Sequence, residues 1–165
     1  MRKYLFSLVL ILFTGNISYS QDEIDFEEFM GMMSETVNEN MLDELSYQLP
    51  WNIVVTAYAH GDFSRDGAED FAVAIRDKGN KSAKSVDVYF FENIGNKTYK
   101  LIKKINYKFY DVSIEVACIV KEGKCFVTYR DDNNWYFTGY VINDEQLIIE
   151  ENEIFPIEFE NAGDN

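Results

Sequence analysis

Histidine occurs once in this 165-residue chain, at His60, and cysteine and proline occur twice each. A single imidazole argues against a histidine-rich zinc site. Two cysteines cannot build a multi-bridge disulfide framework, and nothing basic or helical is placed to lower the thiol pKa of Cys118 or Cys125, so no redox role is expected. Basic residues are scarce as well: 15 Lys and Arg stand against 29 Asp and Glu, for a formal charge of −14. Phosphate backbones and anionic lipid surfaces repel so acidic a chain, which disfavours nucleic-acid and peripheral-membrane roles. Long apolar runs are also missing. The run from Leu5 to Phe13 falls well short of the ~20 residues that span a bilayer, and no cysteine follows it as a lipid-attachment site.

What is present at the N-terminus has the pattern of an export signal over residues 1–20: Arg2 and Lys3, the short apolar run, then Ser18-Tyr19-Ser20 as a small-residue cleavage site ahead of Gln21. Cleavage leaves 13 basic residues against 29 acidic ones, a formal charge of −16. The expected location is extracytoplasmic, periplasmic or secreted, with no membrane insertion after signal removal. Cationic partners and metal ions remain open. The remaining chain is one ordinary domain, with enough apolar content to bury a core without disulfides. Residues 156–165, acidic with only Ile157 and Phe159 as anchors, read as a flexible tail.

From residue 21 to 49 the spacing is helical. Ile24, Phe26, Phe29, Met30, Met33, Val37, Met41, Leu42 and Leu45 recur mostly three or four apart, and Asp22, Glu23 and Asp25 suit a helix N-terminus. The segment is expected to pack on a sheet. After Pro50 the period becomes two. Four strands are expected at Ile53–Ala59, Phe71–Arg76, Val86–Glu92 and Thr98–Ile105, with Phe71, Val73 and Ile75 on one face and the small Ala72 and Ala74 on the other. A second quartet follows at Ser113–Lys121, Lys124–Arg130, Trp135–Ile142 and Leu147–Glu150, turning at Glu122-Gly123, at 131–134 and around Asn143-Asp144. The fold class is therefore α+β, mainly antiparallel β, with about eight strands in meanders across residues 50–155.

The stretch that carries chemistry is His60 to Val73. Asp62, Ser64, Asp66 and Asp70 place side-chain oxygens at near-alternate positions, and Gly67 lets the backbone turn between them. Crowded carboxylates repel unless a cation or water separates them. A strand, then D-x-S-x-D-G-x-x-D, then an apolar strand resembles the FG-GAP or VCBS-type repeat, the calcium-loop unit of integrin α-type propellers and of many secreted bacterial proteins. The resemblance covers about 40 residues, from Ile53 to Glu92, and so implies one blade-like unit and not a complete propeller. It implies Asp62, Asp66 and Asp70 as carboxylate ligands, Ser64 as a hydroxyl or water-mediated ligand, and Ala68 as a carbonyl donor. The implied ion is calcium, bound weakly in the extracellular range of about 10⁻⁴ to 10⁻³ M. This chain departs from the family at Ser64, a poorer ligand than Asn or Asp, and at Arg65, where glycine would turn more readily. The alternative is a loop whose aspartates cap their own backbone.

Other candidates read more simply as structure. Cys118 and Cys125 flank a turn on the same face, as a diagonal disulfide or as two buried thiols. His60 and Ser64 lack an orienting third group, and acid pairs such as Glu27-Glu28, Asp131-Asp132 and Glu150-Glu151 arise readily among 29 acids. Tyr89, Phe91, Tyr136 and Tyr140 could form a platform for a sugar or peptide, though cross-strand packing accounts for them. The sequence thus points to a non-enzymatic, calcium-stabilised binding or scaffold module with a protein or glycan partner. An acidic binder or inhibitor of a cationic protein is the second reading, and a hydrolase with an unrecognised site the third.

Overall fold

The structure, a computed structural model, describes residues 24–25, 27–31, 49–50, 52–77, 85–95, 98–108, 116–130 and 133–156. The strands are β1 (Ile24–Asp25), β2 (Ile53–Gly61), β3 (Asp70–Asp77), β4 (Ser85–Asn93), β5 (Tyr99–Lys108), β6 (Val116–Lys121), β7 (Lys124–Arg130), β8 (Asn134–Asn143) and β9 (Gln146–Pro156). One helical turn, residues 27–31, lies between β1 and β2. All pairings are antiparallel, and the strands form two meanders, β1-β2-β3-β4-β5 and β6-β7-β8-β9.

Alternation in the sequence sets which face each residue takes. On β3, Phe71, Val73 and Ile75 point into one cluster with Phe29, Leu49, Ile53, Tyr89 and Phe91, while Ala72 and Ala74 point into another between the two sheets. The small residues on that second face, Ala57 and Ala59 included, leave room for Phe63 and Phe90, both fully buried. Close packing at the β2–β6 contact requires glycine at position 61, since a Cβ there would stand 2.6 Å from Val120 Cγ1. The β6–β7 hairpin turns at Glu122-Gly123 with φ of 51° and 66°, the pattern of a primed two-residue turn that matches strand twist. Val120 faces Cys125 and Cys118 faces Val127 as the spacing implies, and both cysteines are buried free thiols.

Among the described residues the expected elements shift in three places. Ile24 and Asp25, placed in a helix by periodicity, instead add a short strand to β2, with Ile24 opposite Val55. Among the described residues of that segment, 27–31 are helical; residues 32–48 lie outside the described residues, as do residues 1–20 and the tail from 157 onward. The last hairpin turns at Asp144-Glu145, one residue beyond the expected position. The final strand does not end at Glu150 but runs to Pro156, because a register shift between Gly139 and Tyr140 takes Glu150 out of the ladder and lets pairing resume at Glu151.

Candidate functional site

The loop between β2 and β3, with the first residue of β3, holds all five candidate ligand residues; of its aspartates Asp70 is buried, Asp62 half-buried and Asp66 exposed. Asp70, the first residue of β3, is fully buried. Its Oδ2 accepts from the backbone N–H of Phe63 at 3.0 Å and of Ser64 at 2.7 Å, and its Oδ1 accepts from the N–H of Asn93 at 3.0 Å. Burial raises its carboxyl above the usual range, opposed by those N–H groups. Asp62 accepts from the N–H of Asp66 and of Gly67, each at 3.0 Å, and Asp66 Oδ1 accepts from the N–H of Ala68 at 2.8 Å. These are the local bonds by which aspartates fold a turn on themselves, and Gly67, at φ 89°, supplies the backbone they need.

The loop also fastens the two sheets together. Phe63, between Asp62 and Ser64, inserts its ring into the inter-sheet core, and its carbonyl accepts from Ile142 N–H on β8 at 2.9 Å. Arg65 takes the left-handed conformation, φ 63°, that the sequence reading reserved for glycine. Its side chain explains why the residue sits there: both terminal nitrogens donate to Glu150, at 3.0 and 2.6 Å, and Nε donates to the Gly123 carbonyl at 3.2 Å. Glu150 is the residue that the bulge on β9 turns out of the ladder, and Arg65 in turn holds the Glu150 carboxyl below its ordinary range. On the other side Asn93 donates to the Glu69 carbonyl at 3.2 Å, as does the Tyr99 hydroxyl at 2.9 Å.

The donor chemistry fits a hard cation: three carboxylates, one hydroxyl and backbone carbonyls, with no soft ligand. Each carboxylate keeps lone pairs beyond those used by N–H groups. The Ser64 hydroxyl oxygen is inaccessible to solvent and lies beside the Asp70 carboxyl, whose proton affinity it lowers. The side chains do not converge, however. Among the described residues no group of three or more His, Cys, Asp or Glu is gathered closely enough to hold a metal. A calcium ion would have to share oxygens with the N–H groups that now occupy them.

Sequence reasoning missed Glu92, Asn93 and Glu150. Glu92 is raised by its burial and then by the charges of Asp70, Glu145 and Asp66, so it belongs to the same negative field. Asn93 could have been found from the register of the β3–β4 hairpin, which brings the end of β4 beside the start of β3. Glu150 could not, because nothing in its neighbours announces a bulge. His60 lies on β2 opposite Phe71, with Nδ1 3.4 Å from Glu69, and the pair Glu150-Glu151 is divided between Arg65 and Lys124. Tyr89, Phe91 and Tyr140 are core residues. Among the described residues no helix is long and apolar enough to cross a membrane. Compared with protein-family models, curated proteins and solved structures, the chain matches none.

Proposed function

We propose that the chain is an extracytoplasmic, non-enzymatic binding or scaffold module whose loop 62–70 is a clasp between the two sheets, stabilised by calcium. The observation that carries the reading is the loop's engagement: its three aspartates bond to backbone N–H groups, its phenylalanine fills the core, and its arginine reaches the second sheet. Groups so occupied serve structure better than turnover. Calcium is supported by the charge on Asp70, a buried carboxylate compensated by N–H dipoles and by no ion pair to a cationic side chain among the described residues, beside the negative Glu92 and Asp66. Buried charge is ordinarily paired or bound to a metal. The N-terminal segment 21–49 is read as a cover for the outer face of the first sheet, with Phe29 and Leu49 as its contacts there.

Equilibrium calcium binding tests the ion directly. Titration of chelator-treated protein is expected to show one site with a dissociation constant of about 10⁻⁴ to 10⁻³ M, lost in Asp66→Asn. No uptake at millimolar calcium would contradict the calcium part and leave the capped turn as the whole account of the loop.

A further inference from the structure

Four of the five exposed large hydrophobic residues among those described lie on one strand, β9: Ile148, Ile149, Ile154 and Phe155. β9 is an edge. It pairs with β8, and no described strand lies beyond it. Edge strands are commonly blunted by lysine, and the opposite meander's edge, β5, obeys that rule with Lys100, Lys103, Lys104 and Lys108. β9 carries no lysine, arginine or interior proline. Eleven residues with an open row of backbone donors and acceptors make a template for one more strand.

The register states what that strand must look like. Ile149 pairs with Tyr140 and Ile154 with Tyr136, so both isoleucines are on the face turned toward the first sheet. They are nonetheless 58 % and 55 % exposed. Glu151 and Glu153, paired with Gly139 and Phe137, are on the opposite face. A second copy of β9 is the poorer occupant: antiparallel registers centred on the middle of the strand set Glu151 against Glu151, Glu150 against Glu153, or Glu150 against Glu151, and a chain of charge −14 repels its own copy. We infer that β9 accepts an extended segment of another protein in which apolar residues, covering Ile149 and Ile154, alternate with lysine or arginine set beside Glu151 and Glu153. The inference rests on the binding-module reading given above and is independent of calcium.

The probe is a labelled ten-residue peptide of alternating valine and lysine, compared with a peptide of equal charge in which glycine replaces valine. Fluorescence anisotropy is read in EDTA and in calcium. The valine peptide is expected to bind at least tenfold more tightly, with slowed amide exchange along β9 and not along β5. Ile149→Lys with Ile154→Lys, at exposed positions that leave the melting midpoint in place, is expected to remove that difference, and Glu153→Lys to weaken binding several-fold. Equal binding of the two peptides, binding untouched by the isoleucine substitutions, or a concentration-dependent dimer by sedimentation would each overturn the inference. A calcium-stabilised protein that ignores both peptides would sink this inference alone; peptide binding without calcium uptake would sink only the ion.

Discussion

β3 and β9 are both long strands that mix apolar residues with acids, yet six consecutive residues of β3 are buried while β9 is exposed along most of its length. β3 lies in the interior of its sheet with a cluster on each face, so both of its periodic sets are apolar and its one buried acid, Asp70, is held by backbone N–H groups. β9 has a described strand on one side only, and of its side chains Leu147 packs against the inter-sheet cluster while most of the others are exposed. Burial of a strand is therefore decided by its place in the meander and less by its own composition. The loop from Asp62 to Asp70 is where the two environments meet, with Asp70 anchored in the first sheet and Arg65 reaching the bulge on β9.

That contrast can be broken from either side. Phe71→Ala on β3 is expected to cost about 3 to 5 kcal/mol in chemical denaturation, whereas Phe155→Ala on β9 changes stability by about 0.5 kcal/mol or less; similar losses at the two sites would refute the assignment. At the clasp, Asp70→Asn keeps the size of the side chain but turns an NH₂ toward backbone N–H groups, at an expected cost of about 1 to 3 kcal/mol. Gly61→Ala, forced against Val120 at a φ of 155°, should cost about 1 to 3 kcal/mol through overpacking. Arg65→Ala and Glu150→Ala are each expected to cause only a small, salt-sensitive loss, and the double variant no more than either, since the pair is exposed.

The same buried groups set the pH response. Tyr99 is pushed up to about 12 by burial and by the nearby charges of Glu69 and Asp70. The unfolded chain then releases this proton near pH 10 while the folded chain retains it. Stability from Tyr99 is full below that range and is lost as pH rises toward about 12, a slope that Tyr99→Phe should flatten. Asp70 has the same sign: with its folded pKa raised, the calcium-free protein loses stability as pH rises above the unfolded carboxylate range of about 4.

The eight main strands, the faces of β3 and the relation of Cys118 to Val120 and Cys125 were legible because side-chain alternation is local information, whereas the division of the expected single sheet system into two sheets was not. The loop's residues were legible for the same reason, as closely spaced aspartates around a glycine. The remainder depended on distant parts of the chain. Ile24-Asp25 is a strand because Val54 and Val55 offer an edge, which outweighs a helical periodicity. Arg65 was read as an obstacle to the turn, since its partner is 85 residues away on a bulge with no sequence mark. β9 was cut short at its glutamates because an acidic run resembles a strand end, although pairing with β8 continues through it.

The most direct test of the clasp is thermal unfolding in EDTA and in 1 mM calcium, for the protein and for Asp66→Asn. A site with a dissociation constant of about 0.1 mM adds about 1.4 kcal/mol at that concentration, which raises the midpoint of a domain this size by roughly 3 to 6 °C. The account predicts that rise in the protein and its loss in the variant. An unchanged midpoint in both would contradict it.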